Sequence, residues 1–200
     1  MGMETEAKLR VASFAPIRSA LLAIGAGKVG RVLERNWILD TVDDGLLSDG
    51  VLLRLRNTGG ARGVVAVKGK TRKNTRFKSR EEVETTTDDY EKTLRQFALL
   101  GYTVVWIYEK IRESWLTDAC RIELDHCPEI GDFIEVEGSG AAIGALLSRL
   151  GLDPAMHISD GYLGLWRKHL KALGQSKRDM IFSEQDRRSL DMTEDHHDTD

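Results

Sequence analysis

The chain reads as an α+β domain built on antiparallel strands. Three observations predict this. Period-two segments recur along it, with charged residues set against apolar ones. Four short amphipathic helices lie between or after them. A length of 200 residues suits a single core with a terminal extension.

The elements follow in chain order. Glu4, Glu6, Lys8 and Arg10 alternate with Thr5, Ala7, Leu9 and Val11 in a first strand. A helix follows Pro16, which suits a first helical position; it carries Ile17, Leu21 and Ile24 on one side and ends near Gly25 or Gly27. Arg54 and Arg56 alternate with Leu53 and Leu55, Lys68 and Lys70 follow Val65 and Val67, and Glu82 and Glu84 flank Val83. The second helix starts at Asp88, with Glu91 three residues on as in a capping box, shows Leu94, Phe97 and Ala98, and stops at Gly101. Three more strands place Lys110 and Arg112 about Ile111, Glu123 and Asp125 about Leu124, and Glu135 and Glu137 about Val136. The third helix follows Ser139 with Ile143, Leu146, Leu147 and Leu150, and the fourth carries Tyr162, Leu165, Trp166 and Leu170 before Gly174.

Composition excludes several classes. With 41% hydrophobic and 30% charged residues and a net charge of −3, the chain is not disordered as a whole. Its 19 Gly and 3 Pro form no collagen period or low-complexity run, and no internal repeat is present. Two cysteines, Cys120 and Cys127, cannot staple a domain of this size, which suits a reducing compartment; Cys120 belongs to the apolar set with Ile122 and Leu124, so buried thiols are expected rather than a metal cluster with His126. The apolar stretch from Pro16 to Ala26 is interrupted by Arg18 and too short to span a bilayer, and the first residues are charged, so a cytoplasmic protein without membrane contact is expected. Glu6 also breaks the myristoylation pattern after Gly2.

Charge is sorted by segment. Between Arg54 and Arg80 stand ten basic residues and no acidic one, followed at once by Glu81, Glu82, Glu84, Asp88, Asp89 and Glu91. From Lys177 onward there are four basic and eight acidic residues, so residues 1–175 are expected to form the domain and 176–200 an acidic, disordered tail. An ordinary half-buried sheet has a wet face that mixes charge with Ser, Thr and Asn. Here the i, i+2 neighbours on one face carry like charge, which repels unless opposite charge lies between them. Carboxylate pairs at this spacing suit a divalent cation, and paired Lys and Arg suit phosphate oxygens.

These residues resemble the CYTH superfamily, named for class IV adenylyl cyclases and thiamine triphosphatases and also containing inorganic triphosphatases. The resemblance runs from Met3 to about Leu165. It rests on Glu4-Thr5-Glu6-Ala7-Lys8, on Trp37-Ile38-Leu39-Asp40-Thr41 with Arg54-Leu55-Arg56, and on Val65-Ala66-Val67-Lys68-Gly69-Lys70. Arg80-Glu81-Glu82-Val83-Glu84, Glu109-Lys110-Ile111-Arg112, and Asp125 with Gly131 to Glu137 complete it in the family's order. It implies a closed, mostly eight-stranded antiparallel barrel whose charged face lines a tunnel, with Leu53, Val67 and Val136 turned outward under the helices. It further implies that Arg54, Arg56, Lys68, Lys70, Arg80, Lys110 and Arg112 bind a triphosphate together with Lys8. Glu4, Glu6, Asp125, Glu135 and Glu137 would hold Mg2+ or Mn2+, and Lys8, Glu82 and Glu84 would act in catalysis, with Glu82, Glu84 and Asp125 also positioning other residues.

The implied activity is a metal-dependent triphosphatase acting on inorganic tripolyphosphate or on a nucleoside or thiamine triphosphate. Two alternatives stand beside it: a class IV adenylyl cyclase converting ATP to cyclic AMP and pyrophosphate, and a non-catalytic polyphosphate- or nucleotide-binding module. The partner is a small-molecule triphosphate, and a homodimer is a possible assembly. A nucleic-acid partner would call for exposed aromatics among the basic residues, and only Phe77 is there. Trp106, Trp115 and Trp166 are expected in the core or in helix packing. The family's C-terminal Ser-Tyr element is interrupted here, since Asp160 and Gly161 separate Ser159 from Tyr162. Arg72 to Lys78 reads as a basic loop or turn, and His196-His197 as solvated residues of the tail.

Overall fold

The computed structural model describes residues 2–72 and 76–194. Eight strands form a closed barrel: β1 (Gly2–Val11), β2 (Gly27–Asp40), β3 (Leu52–Asn57), β4 (Gly63–Lys68), β5 (Lys78–Thr87), β6 (Thr103–Leu116), β7 (Cys120–Cys127) and β8 (Gly131–Gly138). The order around the wall is β1-β5-β4-β3-β2-β6-β7-β8, antiparallel throughout. β1 closes it by pairing through Gly2 to Glu6 with β5 and through Glu6 to Val11 with β8. Closure gives every strand a neighbour on each side along at least part of its length and turns one face of each strand into a shared lumen.

The helices are α1 (Ala15–Ala23), α2 (Gly45–Ser48), α3 (Tyr90–Leu99), α4 (Gly140–Arg149), α5 (Tyr162–Leu173) and α6 (Glu184–Glu194). Local chemistry starts them where the sequence suggests, with one shift. Pro lies in the first turn of α1, and the Ser139 hydroxyl caps α4 by accepting from the Ala142 amide. Asp89, rather than Asp88, caps α3 by accepting from the Lys92 amide.

Outward-facing apolar residues receive the helices. α1 and α4 cover Ala7, Leu9, Ile122, Leu124, Ile134 and Val136 with Ile17, Leu21, Ile143 and Leu147. Phe77 and Trp115 belong to the same cluster, so Phe77 is core and not an exposed stacking platform. α3 lays Leu94 and Phe97 over Trp37, Leu39, Leu53 and Leu55. Val67 is a correction: no helix covers the wall it shares with its cross-strand partner Val83, and it is 42% exposed. Cys120 and Cys127 are buried free thiols, and Trp166 is core.

The acidic C-terminal segment also departs from expectation. Met180 is fully buried, Phe182 nearly so, and α6 follows, so the folded unit extends past residue 175. The physical reason is local: between its charges the segment carries Met180 and Phe182, whose burial supplies the apolar surface that docks the chain. His196 and His197, and Lys73 in the basic loop, lie outside the described residues. No described helix is long and apolar enough to cross a membrane.

Leu147 sits fully buried between α4 and the wall. Leu147→Ala should destabilise the fold by about 2–5 kcal/mol, read as a lower urea midpoint with an unchanged denaturant slope; an unchanged midpoint would show that α4 does not seal this face.

Candidate active site

Period two places the inward residues in rows. From β6 come Trp106, Tyr108, Lys110 and Arg112; from β1, Glu4, Glu6 and Lys8; from β5, Lys78, Arg80, Glu82 and Glu84. β3 adds Arg54 and Arg56, β4 Lys68, β7 Arg121 and Glu123, and β8 Glu135 and Glu137. They enclose a cavity of about 520 Å3, and Gly161, Tyr162 and Leu163 at the start of α5 border it as well.

One buried anion organises the wall beside α5. Asp125 has no exposed surface, and its oxygens accept from Lys110 Nζ (2.8 Å), Arg112 Nε and Nη2 (2.7 and 2.6 Å) and the Tyr162 hydroxyl (2.7 Å). The Tyr162 ring in turn carries Lys8, whose Nζ lies 3.8 Å from the ring centroid. Lys8 Nζ also donates to the Asp160 carbonyl (3.3 Å) and pairs with Glu135 (3.2 Å). Burial and the neighbouring carboxylates push the Tyr162 hydroxyl well above its ordinary pKa, so it stays a donor.

The remaining charges pair in the same manner. Lys68 Nζ lies between Glu4 (3.0 Å) and Glu82 (2.8 Å), and Lys78 meets Glu6 at 2.9 Å. Arg54 reaches Glu84 at 3.2 Å, and Arg56 bridges Glu34 (3.4 Å) and Glu84 (3.5 Å). The carboxylates divide into two kinds. Burial pushes Glu6 upward, but Lys78, Lys8 and Lys68 outweigh it and the Glu135 charge, holding it at about 2. Burial likewise opposes ionisation of Glu135, yet Lys8, Lys110 and Arg112 hold it well below the usual range. Glu4 and Glu137 go the other way: burial raises both, Glu82 and Glu6 add to it at Glu4, Glu4 and Glu82 add to it at Glu137, and Lys68, joined by Arg121 at Glu137, offsets this only in part.

Glu4, Glu82 and Glu137 are therefore a set of oxygen donors with excess negative charge, the chemistry that suits a hard divalent cation. Glu6 and Glu135 stand beside them on the same strands. As placed, these carboxylates are spread over Lys68, Lys78 and Lys8, and among the described residues no three acidic, His or Cys side chains are gathered as ligands of one ion. The donor set fits Mg2+ or Mn2+ by type and charge.

Most residues expected at the site converge on the lumen: Lys8, Arg54, Arg56, Lys68, Arg80, Lys110, Arg112, Glu4, Glu6, Glu82, Glu84, Glu135 and Glu137. Two do not. Lys70 lies beyond the end of β4, is exposed, and pairs with Asp49 at 3.4 Å outside the lumen. Asp125 is inside the barrel but spent on its four hydrogen bonds, so it anchors Lys110 and Arg112 and does not border the cavity. Trp106 borders the lumen, stacked on Tyr108 with centroids 4.5 Å apart.

Sequence reading missed Lys78, Glu34, Tyr108, Arg121, Glu123 and Tyr162 as site residues. Extending the alternation by one step finds Lys78 before Arg80 and Glu123 before Asp125. Glu34 had no such signal, because β2 carries register shifts at Lys28/Gly30 and Ile38/Leu39 and apolar residues on both faces. Tyr162 follows the interrupted Ser-Tyr element, and its place against Asp125 and Lys8 is set by the tertiary structure, since it arrives from a helix far along the chain.

Glu34 tests the electrostatics away from the candidate cation donors. Burial opposes its charge, but Lys110, Arg112 and Arg56 hold its carboxyl at about 2, below an ordinary value of 4.5. A depressed folded pKa stabilises above the ordinary range, and the stabilisation disappears as pH falls through about 2. Urea titrations of wild type and Glu34→Gln should differ by on the order of 3 kcal/mol at neutral pH and converge as the solution is acidified; a pH-independent difference would contradict the pairing.

A family model described as the CYTH domain matches residues 2–148. No curated protein sequence matches the chain. Among solved structures, a Vibrio parahaemolyticus protein named as a candidate adenylate cyclase shares 21% identity at a TM-score of 0.71, over 82% of this chain and 98% of its own. A Pyrococcus horikoshii protein is 24% identical at a TM-score of 0.69, over 81% of this chain and 98% of its own. A Hippeastrum protein, named as a candidate adenylyl cyclase with a dominant triphosphatase activity, is 17% identical at 0.61, over 88% and 98%. At these identities the structures share the fold, and the family match covers most of the barrel's sequence: the chain belongs to the CYTH family.

Proposed function

We propose that this chain is a metal-dependent triphosphatase that hydrolyses a small-molecule triphosphate inside the barrel. The observation that supports it most directly is the lumen itself, in which cations from six strands face carboxylates drawn from β1, β5, β7 and β8 across a cavity of about 520 Å3. A triphosphate brings the negative charge that Lys68, Arg80, Arg54, Arg56, Lys110 and Arg112 now find in internal carboxylates, and it would exchange with those pairs. The carboxylates so released, Glu4, Glu6, Glu135 and Glu137 with Glu82, would hold Mg2+ or Mn2+. When bound, the ion supplies neutralisation of phosphate-oxygen charge.

The chain's own groups would do the rest. Lys8, fixed by Tyr162, Glu135 and the Asp160 carbonyl, orients one phosphoryl group as a point charge. Arg112 and Lys110, held by Asp125, keep fixed positions for phosphate oxygens, which lowers the reorganisation that in-line attack demands. Water attacks the terminal phosphorus, the bond to the bridging oxygen breaks, and diphosphate leaves. Glu82 or Glu84 accepts the water proton.

One observation favours a second reading, the cyclase. Trp106 and Tyr108 stack on the lumen wall beside Ile38, Leu52 and Leu163, an apolar surface next to the phosphate-binding cations that suits a base. There the ribose 3′-hydroxyl would attack the α-phosphorus of ATP and pyrophosphate would leave.

Tripolyphosphate, ATP, GTP and thiamine triphosphate should be assayed with Mg2+ and with Mn2+, scoring phosphate, pyrophosphate and cyclic AMP together. Phosphate release that needs the metal is expected, falling about 100-fold in a folded Lys8→Ala variant. No phosphate from any substrate with either ion refutes the triphosphatase, and cyclic AMP with pyrophosphate selects the cyclase. Binding without any turnover in the wild-type chain, unchanged by Glu135→Gln and Glu137→Gln, would identify a binding module.

A further inference from the structure

The barrel wall has an interruption that its own strands do not fill. β2 pairs along β6 from Thr103 to Leu116, but β7 pairs with β6 only from Ile111 to Leu116. On that side the stretch of β6 before Ile111 has no barrel strand among the described residues. The C-terminal segment takes this edge. The Glu109 amide donates to the Met180 carbonyl (2.8 Å), the Met180 amide to the Ile107 carbonyl (3.0 Å), and the Ile107 amide to Asp179 Oδ1 (2.9 Å), a short parallel pairing centred on Tyr108 and Met180.

Side chains lock the segment in place. Met180 enters the cluster of Trp106, Tyr108, Phe133, Tyr162 and Trp166, and Phe182 stacks on His126. Glu109, on the outer face of β6 and 1% exposed, accepts from the Phe182 amide (3.1 Å), from Arg35 (3.2 Å) and, at both carboxylate oxygens, from the single Nη2 of Arg187 (2.6 and 2.5 Å). Arg187 is aimed by a reciprocal cap at the start of α6, in which Ser183 and Asp186 exchange side-chain to backbone hydrogen bonds. The segment itself, Asp179 to Arg187, lies outside the span that the family model matches.

What the segment grips on the outside is the strand that carries the lumen's phosphate-facing residues on the inside. Alternation puts Tyr108 and Lys110 on the lumen side of Ile107, Glu109 and Ile111. We propose that Asp179 to Arg187 is a positioning brace for this wall. By completing the free edge of β6 and clamping Glu109, it holds Tyr108 and Lys110 at the separation from Asp125 and Arg54 that triphosphate binding needs. Arg187 and Glu109 are thereby positioning residues that touch no substrate. The inference rests on the triphosphate reading of the lumen.

Removal of the segment after Ser176 is the obvious test, but that chain exposes three backbone groups of β6 and can fail to fold. Arg187→Ala and the conservative Arg187→Lys in the full chain avoid this. Tripolyphosphate with Mg2+ serves as the probe, with Kd by calorimetry, KM and kcat from phosphate release, and amide hydrogen exchange across residues 105–112. Arg187→Ala should raise Kd and KM about tenfold while kcat stays within about twofold, and exchange at Ile107 and Glu109 should quicken. Arg187→Lys should recover most of the binding. Faster exchange with Kd and KM unchanged would reduce the segment to a stabilising appendage and overturn the proposal, as would unchanged exchange. A wild-type chain that neither binds nor hydrolyses tripolyphosphate refutes the triphosphate reading instead; the exchange comparison then still decides whether the segment governs the Tyr108 and Lys110 wall.

Discussion

Every charge that this barrel turns inward needs a partner of opposite sign within a few ångströms, and the structure is arranged around that need. A buried ion without a partner costs several kcal/mol, more than most single contacts return. Asp125 shows the constraint at its tightest: fully enclosed, it is tolerable only because Lys110, Arg112 and Tyr162 all donate to it. Those three groups come from β6 and from α5, so one carboxylate ties the wall of the lumen to the helix that borders it. Lys8 joins the same unit through the face of Tyr162 and through Glu135.

Under the function proposed above, pairing of this kind does not merely tolerate charge; it prepares a binding site. Lysines and arginines that are held in fixed positions by carboxylates need little reorganisation when phosphate oxygens replace those carboxylates. The compensation is uneven, and the unevenness is informative. Glu6, Glu34 and Glu135 are over-supplied with cations and held low, whereas Glu4 and Glu137 are under-supplied and raised. Negative charge in excess collects on one side of the lumen, between β1, β5 and β8, and that is where a divalent cation would be drawn. The net charge of −3 conceals all of this, because the two sets nearly cancel and the acidic C-terminal segment carries the sum below zero.

Much of the fold and site was legible wherever a strand kept strict period two with like charge on one face. Arg54 and Arg56, Glu82 and Glu84, Lys110 and Arg112, and Glu135 and Glu137 were readable as inward pairs for this reason, and all reach the lumen. Legibility failed where the local pattern was interrupted. β2 bends through two register shifts, so Glu34 and Asn36 carried no period to follow. Lys70 kept the period past the point where β4 ends, and so was placed inside when it lies outside. The C-terminal segment is dominated by charge, and the two apolar residues that dock it, Met180 and Phe182, were too few to register as a pattern.

The sequence by itself determined which side chains share a face, because alternation along a strand is a property of the backbone and requires no knowledge of neighbours. It also determined most helix boundaries, since Ser139, Pro16 and Gly174 act through contacts within a turn of where they stand. Only the tertiary structure decided what each inward charge meets. Asp125 meets Tyr162 from 37 residues away, and Glu109 meets Arg187 across 78 residues. Partnerships at that separation depend on how the barrel closes and on where the last segments lie against it, and no local period encodes them.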